Sequence, residues 1–98
     1  MNEKNQRAVF KYFKKKKISK FVGVPDSTLK HFIDECINNK DVIIATREEE
    51  AIGIATGITL SNKSSLVFMQ NAGFANSIST ITSLVQLYQI PLIFLIGW

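Results

Sequence analysis

The stretch VIIATREEEAIGIATG, residues 42–57, decides the fold, because an apolar, β-branched run passes directly into a helical pattern. Residues 42–46 carry no charge, and continuous apolar strands of this kind are typical of parallel sheets that are buried on both faces. Small and apolar residues then recur at helical spacing, which predicts a helix over residues 48–60. A strand that leads straight into a helix is the building unit of α/β domains.

The same alternation of strand and helix continues on both sides of this stretch. We predict further strands at residues 21–24 (FVGV), 65–70 (SLVFMQ) and 91–97 (PLIFLIG). Helices are predicted around residues 4–13, from Asp26 or Ser27 onward, and up to about residue 87 after a turn at residues 71–73 (NAG). The predicted fold is therefore an α/β domain, a mostly parallel sheet with helices on both faces and right-handed crossovers.

The second helix carries an amphipathic stripe that includes the chain's single cysteine. Its apolar residues recur at i, i+3, i+4, i+7 and i+8, and they are Leu29, Phe32, Ile33, Cys36 and Ile37. We interpret Cys36 as a small core residue rather than a nucleophile. His31 lies off the stripe and is expected on the surface. One thiol cannot form an internal disulfide, which favours a reducing cytoplasm.

Charge is distributed unevenly along the 98 residues, whose net charge is +4. Residues 1–20 carry eight basic side chains and one acid, whereas residues 21–98 carry four basic side chains and seven acids. Residues 14–17 (KKKK) fit a solvated helix end; a nucleic-acid surface is the alternative, although no aromatic or basic interleaving continues it. The apolar runs are too short to span a membrane and no secretory signal is visible, so we expect neither a nucleic-acid nor a membrane partner.

Three consecutive glutamates open the helix at residues 48–60. With about 100° between neighbours, and with Ala51, Ile54, Ala55 and Ile58 taken as the inward face, Glu48 points inward, Glu49 is solvated and Glu50 lies on the flank. All three also suit a helix N-terminus electrostatically, and that simpler explanation remains open. Gly53 and Gly57 lower helix propensity, which suggests that another backbone packs close to them.

Three connections follow the carboxyl ends of the predicted strands, where open parallel sheets bind ligands. They are residues 23–27 (GVPDS), 46–50 (TREEE) and 70–76 (QNAGFAN). Each contains residues that are unusual in plain connectors, and together they predict a ligand site at this edge.

These stretches, together with residues 87–98 (LYQIPLIFLIGW), resemble the pyrimidine-binding domain of thiamine diphosphate enzymes. The resemblance covers nearly the whole chain from about residue 18. More narrowly, TREEE and LYQIPL resemble sulfopyruvate decarboxylase alpha subunits, and GVPDS and the final IGW resemble phosphonopyruvate decarboxylases. The resemblance implies a carboxy-lyase that acts on 3-sulfopyruvate or 3-phosphonopyruvate with thiamine diphosphate as cofactor.

The resemblance also implies roles for individual residues. Glu48 falls on the catalytic glutamate that hydrogen-bonds the aminopyrimidine ring nitrogen. Pro25, Gly73 and Asn76 would border the cofactor, with Gly73 permitting close approach and Asn76 at a helix start. Asp26, Ser27 and Asn71 would contact the substrate. Alternatively, Asn71 forms the turn by bonding local backbone groups. Only Arg47 is expected to offer a cation at this edge.

The sequence contains no GDG motif, and residues 51–98 contain no Asp or Glu. The resemblance therefore implies that Mg²⁺ and the diphosphate are held by a partner, a diphosphate-binding domain or beta subunit in a homo- or hetero-oligomer, and that this chain holds no metal. Residues 1–98 are expected to be an incomplete pyrimidine-binding domain. An acetolactate synthase-like carboligase domain and a non-catalytic interaction module are the alternatives.

Overall fold

The computed structural model describes residues 1–98 and contains one sheet of four parallel strands. The strands are β1 (Lys20–Gly23), β2 (Val42–Ile44), β3 (Ser65–Gln70) and β4 (Ile93–Gly97), in the spatial order β2-β1-β3-β4. In register, Val22 lies opposite Ile43 and Val67, and Val67 lies opposite Phe94. The predicted α/β class and parallel sheet are therefore confirmed.

Helices connect successive strands and cover both faces of the sheet. They are α1 (Glu3–Lys15), α2 (Lys30–Asn38), α3 (Glu48–Leu60), α4 (Asn71–Asn76) and the short α5 (Ile78–Thr80). A 3-10 turn (Ser27–Leu29) precedes α2, and a π-helical segment (Ile81–Gln86) follows α5.

Each sheet face has its own apolar core. On one face, α1 and α2 pack against β1 and β3, and Phe10, Phe21, Phe32 and Phe68 form a chain of ring contacts with centroids 5.2–6.1 Å apart. On the other face, α3 packs against the same strands through Ala51, Ile52 and Ala55. Residues of opposite parity in each strand face the two cores, as the pleat requires.

The strand β2 is shorter and more exposed than its sequence predicts. It ends at Ile44 rather than at residue 46, and Ile44 is 48 % exposed. The reason is topological, because β2 pairs only with β1 and lies at an edge of the sheet. A continuous apolar run therefore does not distinguish a central strand from an edge strand.

The helices α2 and α4 also depart from the predicted boundaries. Leu29, Phe32, Ile33 and Cys36 are buried as expected, but Ile37, at the end of the helix, is 51 % exposed. The predicted turn at residues 71–73 is instead the first turn of α4, which begins at Asn71 directly after β3.

The predicted long helix up to residue 87 is interrupted. The hydroxyl of Thr82 donates to the carbonyls of Ile78 and Ser79, and that of Ser83 donates to Ser79. Such side-chain bonds compete with the backbone ladder, and the chain continues as a π-helical segment in which only Val85 is buried.

Candidate functional site

The carboxyl ends of the strands gather the three connections that the sequence singled out. β1 is followed by the loop that carries Pro25 and Asp26, β2 leads into α3 through Arg47, and β3 passes directly into α4. Because the strands are parallel and adjacent, all three connections lie at one edge of the sheet.

Glu48 is the first residue of α3 and lies in line with the buried face of that helix. The buried residues are Ala51, Ile52, Ala55 and Thr56, rather than the predicted set centred on Ile54 and Ile58, which are half-buried. At about 100° per residue, Glu48 lies almost at the centre of this face. The side chain is itself half-buried.

The rotation of the buried face corrects the predicted positions of the other two glutamates. Glu49, predicted to be solvated, is half-buried on the flank, and Glu50 is the exposed one. Glu50 has a structural partner, because its Oε1 accepts hydrogen bonds from the backbone N–H of Thr46 at 2.8 Å and from the Thr46 hydroxyl at 3.2 Å. Glu50 therefore ties the first turn of α3 to Thr46, the residue before the N-cap.

Glu48 packs against Gly73, a buried residue of α4. A Cβ atom at position 73 would lie 2.6 Å from Cγ, Cδ and Oε2 of Glu48, closer than van der Waals contact allows. The close approach expected at this glycine is thus made by the glutamate itself. The Glu48 carboxylate takes part in none of the chain's side-chain hydrogen bonds or ion pairs, so its oxygens can still bond a ligand.

A second cluster lies beside the loop after β1. Pro25, Asp26 and Ser27 line an open pocket of about 320 Å³, together with Lys30, Ile33 and Asp34 of α2. The prediction that only Arg47 supplies a cation at this edge was wrong, since Lys30 belongs to this pocket. The signal was available in the sequence, because Lys30 falls within the first turn after the GVPDS connection.

The two asparagines of α4 occupy different ends of that helix. Asn71 is its first residue and is exposed. Asn76 is its last residue and is exposed, not the helix start that was predicted, because α4 begins five residues earlier than expected. The structure therefore brings Glu48 and Gly73 together, groups Pro25, Asp26 and Ser27 separately, and leaves Asn76 at the far end of α4.

Comparison with known proteins identifies the family of the chain. The family model for the thiamine pyrophosphate enzyme, N-terminal TPP binding domain, matches residues 4–98. The chain belongs to this family. The matched range includes the connections that carry Glu48 and Gly73.

Relatives with similar sequences are named sulfopyruvate decarboxylase subunit alpha. One from Methanococcus maripaludis is 38% identical over 92% of this chain and 55% of its own length, and one from Methanocaldococcus jannaschii is 38% identical over 92% and 54%. A third, from Methanothermobacter thermautotrophicus, is 32% identical over 99% and 60%. The chain thus spans a little more than half the length of these curated relatives.

The residues at the edge fit the pyrimidine end of thiamine diphosphate. A carboxylate without a protein partner, seated against a glycine, supplies the acceptor or donor that a ring nitrogen requires. No group of three His, Cys, Asp or Glu side chains is arranged to hold a metal ion. None of the helices is long and apolar enough to cross a membrane.

Proposed function

We propose that this chain is the pyrimidine-binding half of a thiamine diphosphate-dependent 2-oxo acid decarboxylase. The observation that carries the proposal is the Glu48 carboxylate, which is seated on Gly73 and lacks any partner in the chain. A carboxylate placed inward at the ligand edge of a parallel sheet is a strong candidate for catalysis.

In this proposal a carboxylate oxygen of Glu48 would exchange a hydrogen-bonding proton with the pyrimidine ring nitrogen of the bound cofactor. When bound, thiamine diphosphate supplies a nucleophilic carbon and an electron sink for decarboxylation. Gly73 keeps the carboxylate in place, and the half-buried position of Glu48 strengthens its hydrogen bond by limiting access of water. Glu50, engaged with Thr46, holds the start of α3 and has no catalytic role.

The proposed substrate is 3-sulfopyruvate, which is favoured over 3-phosphonopyruvate because the relatives are named sulfopyruvate decarboxylase subunits. Both are three-carbon 2-oxo acids with an anionic tail. Asp26 and Ser27 are proposed to contact the substrate, and Lys30 and Arg47 are the cations at this edge that can attract the tail.

The proposed assembly includes a second chain. The relatives are named as alpha subunits, and the family resemblance implies a diphosphate-binding beta subunit or domain that holds Mg²⁺. In that arrangement Glu48 would hold the pyrimidine end of the cofactor, and the partner would hold the diphosphate end.

The decisive experiment measures decarboxylation of sulfopyruvate and phosphonopyruvate by the chain reconstituted with a diphosphate-binding subunit. Glu48→Gln is expected to lower kcat by about 10²-fold or more, because the exchangeable carboxyl proton is lost. Glu49→Gln is the matched control and should retain most of the activity, since Glu49 lies on the flank of α3. Near wild-type turnover by Glu48→Gln would disprove the catalytic assignment.

Product analysis separates the alternatives. Carboligation would yield acetolactate from pyruvate without net release of an aldehyde. A complex that binds the partner but turns over none of these acids would indicate the non-catalytic module instead.

A further inference from the structure

Gln6 of α1 is a buried polar residue whose side-chain amide makes four hydrogen bonds, three of them to residues more than 20 positions away in the chain. Its side chain is 4 % exposed. Nε2 donates to the carbonyls of Met1 at 3.0 Å and Thr28 at 3.2 Å, and Oε1 accepts from the backbone N–H groups of His31 at 2.9 Å and Phe32 at 3.0 Å. One of these four bonds joins α1 to the connection between β1 and α2, at Thr28, and two join it to the first turn of α2, at His31 and Phe32.

This connection has no cap from its own side chains. The Asp26 carboxylate accepts from the Thr28 hydroxyl within the 3-10 turn, but neither Asp26 nor Leu29 offers a side-chain acceptor to the backbone N–H groups of the turn that follows it. The N–H groups at a helix start require acceptors, and for His31 and Phe32 the acceptor comes from Gln6. A residue 22–26 positions earlier in the chain therefore fixes where α2 begins.

The other side of the same connection rests on the end of β4. A Cβ at Gly97 would overlap the Thr28 hydroxyl and the Asp26 carboxylate, and it would lie 3.2 Å from Cγ of Leu29. The loop is thus held between the Gln6 amide and the Gly97 backbone, with little freedom to shift as a unit.

We infer that Gln6 is a positioning residue that holds the Asp26–Thr28 loop in the place where it contacts the 2-oxo acid. The inference rests on the proposed function, in which Asp26 and Ser27 bind substrate. The Gln6 side chain donates to the carbonyl of Thr28, which follows Ser27, so loss of that hydrogen bond allows the loop to move. Glu48 and Gly73 lie on the opposite sheet face and share no contact with Gln6. The contact between Glu48 and Gly73, which would hold the pyrimidine end of the cofactor, is therefore independent of Gln6.

The substitution Gln6→Glu keeps the acceptor function of the side chain and removes its donor function. A glutamate still accepts from the N–H groups of His31 and Phe32, and its charge suits a helix start. It cannot donate to the carbonyl of Thr28 and repels it instead. We expect a KM for the 2-oxo acid about tenfold higher, the equivalent of a lost hydrogen bond of about 1.4 kcal/mol. The half-saturating concentration of thiamine diphosphate should stay near wild type, whereas the midpoint of unfolding should fall, because a carboxylate replaces a buried amide and loses its donor bonds to Met1 and Thr28.

Asn5→Asp is the matched control, because it makes the same amide-to-acid change one residue earlier, at an exposed position of α1. It should leave unchanged both the KM for the 2-oxo acid and the half-saturating concentration of thiamine diphosphate. An unchanged KM in Gln6→Glu, or a KM that rises together with the cofactor's half-saturation, would show that Gln6 is only structural and would overturn the inference.

A chain-alone measurement keeps this inference separate from the proposed function. If the reconstituted wild type turns over no substrate, the proposed function fails. The position of the loop is then read from the backbone amide NMR signals of the 98-residue chain. Gln6→Glu should shift the signals of Ser27 and Thr28 and leave those of Glu48 and Gly73 in place; unshifted loop signals would refute the positioning role.

Discussion

Glu48 and Gly73 illustrate how two single residues on different helices form one feature. Helical geometry alone singles out Glu48 among the three glutamates, since it precedes Ala51 and Ile52 by one turn. The partner on α4 is invisible to that argument, because the contact depends on how α3 and α4 pack on the sheet. A glycine in an NAG sequence predicted a turn, whereas its actual function in the structure is to leave room for the carboxylate.

Substitution of Gly73 by alanine tests this contact. The new methyl group would meet the flexible end of Glu48, so the carboxylate should swing away at little cost in stability, partly offset by the gain in helix propensity of about 1 kcal/mol. We expect decarboxylation to fall by at least about tenfold, as displacement of a catalytic group demands, while the unfolding free energy changes by less than about 1 kcal/mol. Gly57→Ala, on an open helix face, is the control for the effect of a glycine-to-alanine change on the stability of the isolated chain. Full activity in Gly73→Ala would show that the Glu48 position is not critical.

Cys36 behaves as the core residue that the sequence predicted. It is fully buried, and burial, with a smaller contribution from Asp41, raises the pKa of its thiol to about 12. In the unfolded chain a cysteine ionises at about pH 8.5. Between these values the folded chain keeps a proton that the unfolded chain loses, so this group's contribution to stability declines as pH rises.

The consequence is measurable by unfolding wild type and Cys36→Ala between pH 8 and pH 10.5. The stability advantage of the wild type should shrink steadily over this range. Native thiol labelling at pH 8 should also be at least about 100-fold slower than in denaturant, because a buried thiol reacts only through opening. Rapid labelling of the native chain would contradict the buried thiol.

At the level of the elements, the sequence predicts helices and strands well and their faces less well. The bounds of α3 and β3 match the prediction because each has a long, unbroken pattern. The exposure of β2 and the interruption after α5 were not predictable, since the first depends on strand order and the second on hydroxyls that bond the backbone. The inward face of α3 was misplaced by part of a turn because its small residues give a weak pattern.

The glycines of α3 were expected to face a closely packed backbone. This expectation was wrong, because no other part of this chain packs against them. Both Gly53 and Gly57 are exposed, and a Cβ added at either position would meet nothing within 4 Å. Gly53→Ala and Gly57→Ala should therefore each stabilise the isolated chain by up to about 1 kcal/mol in chemical denaturation. If a partner subunit packs on this face, the same variants should weaken its binding. A loss of stability in the isolated chain would mean that the face is not open.

The whole molecule separates its charges between the two edges of the sheet. The helix-to-strand side carries a set of lysines: Lys14, Lys15, Lys16, Lys17, Lys20, Lys40 and Lys63. Asp41 is paired with Lys14 at 2.5 Å and is the only acid in an ion pair with any of them. The opposite edge carries Asp26 and the three glutamates of α3, which outnumber its two cations, Lys30 and Arg47. The sequence already indicated the lysines within residues 1–20, but only the parallel topology places Lys40 and Lys63 beside them.

Repulsion among these lysines should make the folded chain more stable in salt. Raising NaCl from about 10 mM to about 100 mM shortens the screening length from roughly 30 Å to roughly 10 Å, which weakens interactions between lysines in separate loops more than the close Lys14–Asp41 pair. We therefore expect the melting temperature at pH 7 to rise with salt. The double variant Lys15→Gln, Lys63→Gln removes two charges that have no ion-pair partner, so it should start from a higher melting temperature and respond less. A melting temperature that falls with salt would mean that the ion pairs around Arg7 and Lys14 outweigh the repulsion, and that the basic edge does not destabilise the fold.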